Sequence, residues 1–368
     1  MDFNYNSIIV RYGEISLKGK NRHVFENHLK RNIIDFLKFK NINYKEVITL
    51  RGRIYIKGIS EIPEFKKVFG IYSYSPALEI EKNFELLKQK TLDFLKVIKN
   101  HSSFRVSCQR IDKDFEYNSV EIERLIGEII FENTNVKVNL KNPEINFNIE
   151  IGEKSIFIFF EKIKAYGGMP YSSSGKLVSL ISSGIDSPVS TFLMMKRGVE
   201  PILLHYKITE EDYKKVLKIK KQLEEFTSGK ELKLITIERN EIFKNKFSKL
   251  YNDRKYHSYI CLLCKYLMHK TAGEVARENN ALGIITGDNL AQVATQTLKN
   301  LYAYRDASQM PVYSPLISFD KEDTIKIARE IGIYELSIQK AKACTPPKNP
   351  KTGVDKKTFQ TLLKELDY

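Results

Sequence analysis

Lys176-Leu-Val-Ser-Leu-Ile-Ser-Ser-Gly-Ile-Asp-Ser-Pro-Val-Ser190 joins an apolar run to a loop of small residues and then to a helix opening on Asp186. Leu177 to Ile181 has the length and composition of a buried strand. Small side chains from Ser182 to Ser187 let backbone N–H groups approach an anion, and the following helix turns the positive end of its dipole to the same place. The stretch therefore predicts a phosphate-binding loop. It is not a Walker loop, which needs Gly-x-x-x-x-Gly-Lys-Ser/Thr, because no lysine follows Gly184 until Lys196.

Ser/Gly turns are common between strands and helices, so the surroundings decide the fold. Pro201 to His205 and Leu232 to Ile237 read as two further buried strands, with helical stretches between them, as a doubly wound parallel sheet requires. The loop then lies at the carboxyl end of the first strand, where such sheets bind ligands.

At 368 residues, with 42% hydrophobic and 29% charged residues, the chain has the composition of an ordinary soluble protein with two or three domains. No apolar run approaches the roughly 18 residues of a membrane span, and Asn4-Tyr5-Asn6 followed by Arg11 excludes a signal peptide. The expectation is a cytoplasmic protein with no membrane contact. Four cysteines are too few for a disulfide framework, so a clustered pair points to metal or sulfur chemistry. The net charge of +15 favours a polyanionic partner, and residues 1–60 carry 12 Lys and Arg against 5 Asp and Glu.

The organisation reads as a small α+β domain over 1–75, a second α/β domain over 76–165, a linker over 166–176 and the parallel-sheet domain over 177–368. In the first, Ser7 to Arg11 and Arg51 to Ile56 are strands around a basic amphipathic helix from Arg22 to Phe39, and Glu64 to Phe69 begins a short helix. In the second, helices over Phe84 to Lys99 and Ser119 to Glu132 accompany strands at Ser103 to Cys108, Ile145 to Ile151 and Ser155 to Phe160. The linker is marked by Gly167-Gly-Met-Pro-Tyr-Ser-Ser-Ser-Gly175.

Ser182-Ser183-Gly184-Ile185-Asp186-Ser187 resembles the Ser-Gly-Gly-x-Asp-Ser loop of PP-loop ATPases, which split ATP between its α and β phosphates. Arg11-Tyr-Gly-Glu-Ile-Ser-Leu-Lys-Gly-Lys-Asn-Arg22 resembles the opening of the tRNA 4-thiouridine synthetases, or tRNA uridine 4-sulfurtransferases. The likeness continues along nearly the whole chain. Phe104-Arg-Val-Ser-Cys-Gln-Arg-Ile-Asp-Lys113 with Asn139-Leu-Lys-Asn-Pro143 is similar to the THUMP RNA-binding domain. Gly287-Asp-Asn-Leu-Ala-Gln-Val-Ala-Thr-Gln-Thr297 is similar to the family's second nucleotide-facing segment, and Cys344-Thr-Pro-Pro-Lys-Asn-Pro-Lys-Thr352 to the stretch with its sulfur-handling cysteine. The resemblance implies a ferredoxin-like domain, a THUMP domain and a PP-loop ATPase, in the form without a rhodanese domain after Cys344. Two departures stand out: Ser183 replaces the first loop glycine, and Asp288-Asn289 with Ala291 replaces the usual Gly-Glu-Ser-Leu-Gly-Gln wording.

The resemblance also implies the reaction. ATP adenylates uridine O4 (position 8 of tRNA), pyrophosphate leaves, and sulfur then displaces AMP from C4. Ser182, Ser183, Gly184, Asp186 and Ser187 would hold the pyrophosphate, with Asp186 a ligand for Mg²⁺ or an orienter of the loop. Asp186 has a plainer reading as the N-cap of a helix beginning at Pro188. By the family match, Leu180, Ile181, His205, Tyr206, Lys265, Gly287 and Gln296 would complete the ATP site.

Cys261-Leu-Leu-Cys264 places two sulfurs close enough to chelate one metal or cluster, although its apolar neighbours also allow two core cysteines. The family match adds Cys344. Three thiolates suit a [4Fe–4S] cluster with one open iron, fed by hydrosulfide. The rivals are a persulfide on Cys344 supplied by a cysteine desulfurase, and structural zinc. Cys108 reads as core. Lys18, Lys20, Arg22, Lys30 and Arg31 are the candidate phosphate contacts for tRNA, and a homodimer is implied by the family alone. A different class stays open: a THUMP RNA-binding protein with a degenerate ATPase half, which Ser183 favours. An amidating or ligating synthetase fits the loop but leaves the N-terminal modules and the cysteines without a role.

Overall fold

The computed structural model of the chain describes residues 4–50, 52–339 and 344–368. It divides into two compact units, Met1–Gly168 and Met169–Tyr368.

The first unit is built on one nine-stranded sheet of order β2-β3-β1-β4-β8-β7-β5-β6, with β9 also on β4. The strands are β1 Ser7–Tyr12, β2 Glu46–Leu50, β3 Arg53–Lys57, β4 Ile71–Glu81, β5 Ser103–Arg110, β6 Lys137–Val138, β7 Ile145–Ile151, β8 Ser155–Phe159 and β9 Ile163–Lys164. The helix Arg22–Phe39 buries Leu29, Ile33, Phe36 and Leu37, an i, i+4, i+7, i+8 stripe that closes one core with Ile8, Val10, Ile54 and Ile56. Ser119–Thr134 buries Ile122, Ile126 and Ile130 over a second core with Phe104, Phe147 and Ile149. It starts with a capping box in which Asn118 accepts from Glu121 N–H and Glu121 accepts from Asn118 N–H. Cys108 packs half-buried against that second core, and burial pushes its thiol up to about 12.

β4 joins the two halves. Its first residues pair with β1 from Ile71 to Ala77 and its last with β8 from Leu78 to Glu81. Pro76 hides this strand from sequence patterning, since proline lacks the ladder donor. It is tolerated because the Ala77 carbonyl, accepting from Asn6 N–H, faces β1, so Pro76 faces the opposite edge, between the β9 pairing at Tyr74 and the β8 pairing at Leu78.

The second unit is a five-stranded parallel sheet of order β12-β11-β10-β13-β14, comprising β10 Lys176–Leu180, β11 Glu200–Lys207, β12 Leu234–Glu238, β13 Ile284–Ile285 and β14 Val312–Tyr313. Its interior is apolar on β10 and β11 (Val178, Leu180, Ile202, Leu204) and is covered by the helix Ile260–Glu278 through Ala272, Val275 and Ala276. From β10 the chain winds outward to β11 and β12, then crosses back to β13 on the other side of β10. That reversal puts a crevice beyond the carboxyl ends of β10 and β13, where open α/β sheets take ligands. The loop after β10 and the loop after β13 both open into it. No helix of the described residues is long and apolar enough to cross a membrane.

Candidate active site

The loop after β10 is fastened to the helix Asp186–Lys196 by its own hydroxyls. Ser182 N–H donates to Ser187 Oγ at 2.8 Å, and the two hydroxyl oxygens lie 2.9 Å apart. Neither Ser183 nor Gly184 has a positive φ, so serine in place of the related loop's first glycine carries no backbone strain. The Ser183 hydroxyl donates to Asp212 on the helix Glu210–Glu224. Asp212 Oδ2 is also 3.2 Å from His205 Nε2, and His205 Nδ1 is 3.1 Å from the Ile181 carbonyl. Burial works to raise the Asp212 pKa, but the hydrogen bonds from His205 and Ser183 outweigh it and hold the carboxyl below its ordinary value. His205 thus braces the loop from behind.

Asp186 is not the N-cap that sequence allows. The helix begins at Asp186 itself with Ile185 at the cap position and no side-chain cap. Its carboxylate points outward and accepts from Lys321 Nζ at 2.8 Å and Gln292 Nε2 at 3.1 Å. Lys321 comes from the first turn of the helix Lys321–Glu330, 135 positions along the chain. It supplies the cation that the loop's own sequence lacks. Gly287 presses on the same turn: a Cβ there would lie 2.7 Å from Ser187 N and 2.9 Å from Asp186 C, so any side chain would push the two loops apart.

After Gly287 the chain buries Asp288 completely. Lys265 Nζ donates to Asp288 Oδ1 at 3.0 Å and Gln296 Nε2 reaches the same oxygen at 3.4 Å. Burial opposes both charges, yet each partner overcomes it in the other, so the Asp288 pKa falls below and the Lys265 pKa rises above its ordinary range. Gln296 is buried, and its Oε1 has no hydrogen-bond partner among the described residues, which leaves a fixed acceptor open to a ligand. His269 lies fully buried in the same cluster, and burial lowers its pKa to about 3.

Lys265 also lines a cavity of about 490 Å³ walled by Cys261, Cys264, Cys344, Met268, Val293 and Pro346 among others. Cys261 and Cys264 stand one turn apart on the helix Ile260–Glu278. Burial, followed by the nearby Cys344, pushes the Cys261 thiol up to about 11 and the Cys264 thiol to about 12, against the pull of Arg239 and Lys265. Cys344 is exposed, and Arg239 Nη1 donates to its sulfur at 2.9 Å while its guanidinium lies 4.0 Å from the centre of the Phe247 ring. The donor set matches an iron–sulfur cluster in kind, three thiols on one cavity. The sulfurs are not drawn into a closed ligand set: among the described residues no three His, Cys, Asp or Glu side chains are gathered to hold a metal.

Comparison with known proteins gives this geometry a family. Residues 172–367 match the family described as Thiamine biosynthesis protein (ThiI), residues 7–75 the ThiI ferredoxin-like domain and residues 81–161 the THUMP domain. A probable tRNA sulfurtransferase of Thermococcus kodakarensis is 41% identical over 90% of this chain and 89% of its own length. The chain belongs to the ThiI family. Another ThiI-family relative, a probable tRNA sulfurtransferase of Methanocaldococcus jannaschii, is 39% identical over 94% of this chain and 93% of its own. A crystal structure of a 4-thiouridine synthetase–RNA complex with bound ATP shares the fold with a TM-score of 0.88 and 31% identity, over 99% of this chain and 95% of that one.

Within this ThiI-family chain, three groups of the sequence-predicted residues come together. Ser182, Ser183, Ser187 and His205 meet around the phosphate loop, with Asp186 opening its helix and Gly287, after β13, packed against that helix's first turn. Lys265 and Gln296 meet at Asp288, and the three cysteines meet at the cavity. Leu180 and Ile181 are buried, and the Tyr206 hydroxyl is already engaged, donating to the Met268 carbonyl at 2.7 Å. In the first unit, Lys18, Lys20 and Arg31 are exposed and Lys30 is half-buried, whereas Arg22 is tied to Glu26 and the Tyr12 hydroxyl, both at 2.8 Å. Sequence reading missed Asp212, Asp288, Lys321 and Arg239, whose partners are 29, 23, 135 and 105 positions away. Arg11 and Arg53 flank buried Glu150 at 3.6 and 3.5 Å and offset its charge inside the first unit's sheet.

Proposed function

We propose that this ThiI-family chain is an ATP-dependent tRNA uridine 4-sulfurtransferase that makes 4-thiouridine at position 8. The observation that carries the reading is one cavity in which Lys265, shared through Asp288 with Gln296 of the nucleotide side, lines the same wall as three thiols. Two half-reactions need that adjacency. In the first, uracil O4 attacks the α-phosphorus of ATP, the bond to the β-phosphate oxygen breaks, pyrophosphate leaves and the N3 proton is lost. The N-terminal end of the helix Asp186–Lys196 would face the charge on pyrophosphate, and Asp186 would take Mg²⁺ by giving up the Lys321 and Gln292 donors it now accepts from, which releases the Lys321 cation to the phosphates. In the second, a hydrosulfide-level sulfur adds to C4, the C4–O electron pair leaves with AMP, and N3 regains a proton. Neither half-reaction changes the net oxidation state.

Cys261, Cys264 and Cys344 are the residues proposed to hold a [4Fe–4S] cluster, which when bound would supply an open iron to carry sulfide sulfur. The competing persulfide on Cys344 leaves a disulfide after transfer and so needs a reductant. Iron and acid-labile sulfide content of protein purified without oxygen separates the two. Near-stoichiometric iron lost in Cys261→Ser supports the cluster, whereas iron-free protein that still thiolates supports the persulfide. tRNA, a sulfur donor and a second copy of the chain are the partners this reading implies. The reading as a degenerate ATPase loses its support, because Ser183 sits in unstrained backbone with its hydroxyl bonded. The direct test is pyrophosphate release. It is expected only with a tRNA that carries uridine at the target position, and release without tRNA or none at all would contradict the proposal.

A further inference from the structure

We infer that Lys215 is a positioning residue for sulfur transfer: from the helix that braces the phosphate loop, it anchors the segment that leads into Cys344. The inference rests on the sulfurtransferase reading above. A lysine is almost never buried without partners for its charge, and Lys215, on the helix Glu210–Glu224, is only 8% exposed. Its Nζ donates to two backbone carbonyls, that of Ser337 at 2.6 Å and that of Gln339 at 2.7 Å. Both stand at the end of the short helix Tyr334–Ile338, where the last carbonyls have no partner within the helix. The ammonium supplies one. Two turns further along the same long helix, Gln222 Nε2 donates to the Ile331 carbonyl at 2.9 Å. One helix therefore grips both ends of the stretch 331–339.

Cys344 stands five positions beyond Gln339. Five residues of chain span at most about 18 Å, so fixing the Gln339 carbonyl bounds where the sulfur can go, and Arg239 holds the sulfur itself at 2.9 Å. The phosphate loop is referenced to the same helix. Asp212, one turn before Lys215, accepts from the Ser183 hydroxyl, and its charge offsets that of the ammonium. Ser337 Oγ also reaches the Gly184 carbonyl at 3.4 Å. A further tie runs from Lys321, earlier on the Cys344 side of the chain, to Asp186 in the loop's helix. That tie is lost when Asp186 takes Mg²⁺. The bonds of Lys215 do not involve Asp186, so they persist through adenylation, when the sulfur has to meet the C4 that has just been activated.

The test measures the two half-reactions separately in Lys215→Met, which keeps an apolar stem in place but removes the donors. Pyrophosphate release with tRNA should stay within about twofold of wild type while 4-thiouridine formation falls about 10- to 100-fold, the cost of misplacing a reacting group by about an ångström. A residue that only stabilised the fold would lower both together. Hydrogen exchange gives a readout independent of activity: in Lys215→Met the amides of residues 334–339 and 344–349 should exchange at least about tenfold faster, with those of 182–190 unchanged. If Lys215→Met does not fold, Lys215→Gln, which keeps a neutral donor, carries the same measurements with the same split expected. A parallel fall in both half-reactions, a fall in neither, or unchanged exchange over 334–349 overturns the inference alone. A wild type that makes no 4-thiouridine overturns the sulfurtransferase reading, and the exchange result still decides whether Lys215 is the anchor.

Discussion

Asp288→Asn removes one charge from a buried pair and leaves the Lys265 ammonium facing a neutral amide. Breaking such a pair from one side costs about 3–5 kcal/mol. The Lys265 side chain keeps 27% of its exposure while Asp288 keeps none, so the remaining ammonium recovers some hydration and the lower figure, about 3 kcal/mol, applies. For a unit of this size each kcal/mol moves the midpoint by roughly 2–4 °C, which predicts a drop of about 6–12 °C in the calorimetric transition of the second unit. Lys265→Met strands a carboxylate with no exposure and should cost at least as much. The double variant, with no charge left to strand, should recover about 2 kcal/mol of the Asp288→Asn loss. The pH dependence follows from the directions of the shifts. Asp288 is depressed when folded, so its contribution is in place above its unfolded value near 3.9 and is lost only as pH falls further. Lys265 is raised, so its contribution is in place below its unfolded value near 10.4 and is lost as pH rises through the folded value. The gap between wild type and Asp288→Asn should thus be flat from about pH 5 to about pH 9. A cost below about 1 kcal/mol, no recovery in the double variant, or a gap that changes through neutrality would refute the reasoning.

Ser183→Ala should cost about 1–2 kcal/mol, read from the denaturant midpoint, because Asp212 loses a donor in a buried network. Gly287→Ala drives a Cβ to within 2.7 Å of Ser187 N and so displaces the phosphate loop; ATP affinity measured calorimetrically should fall at least about tenfold, and an unchanged affinity would remove that contact from the site. Affinity for tRNA should drop steeply between low and moderate salt, as phosphate contacts require, and removing the charges of Lys18, Lys20 and Arg31 together should reduce the log–log slope by about 2–3. A flat salt response would remove the first unit from phosphate binding.

What the sequence made legible was whatever depends on local pattern. The helix Arg22–Phe39 and the strand Ile145–Ile151 have the bounds that periodicity indicates, and Lys176–Ser190 carries its strand, loop and helix within fifteen residues. β4 was illegible because Pro76 breaks a strand pattern whose tolerance depends on which neighbours end beside it. β13 and β14 have two residues each, too few for any period. The strand expected from Arg51 runs instead over Arg53–Lys57, and Arg51 itself lies outside the described residues. At the site, local pattern supplied the loop and the Cys261/Cys264 pair and resemblance added Cys344, but neither supplied what charges or braces them. Lys321 reaches Asp186, Asp212 reaches Ser183 and Arg239 reaches Cys344 only after the sheet has closed. Long-range charge pairing leaves no mark on local sequence.

The most direct test of the account is nucleoside analysis by mass spectrometry of an unmodified tRNA transcript incubated, without oxygen, with the protein, ATP and sulfide. The account predicts 4-thiouridine at the target position only when ATP is present. It also predicts that a variant lacking Cys261 and Cys264 still releases pyrophosphate but forms no thionucleoside. Thiolation that proceeds without ATP, or at the wild-type rate without those two cysteines, would contradict it.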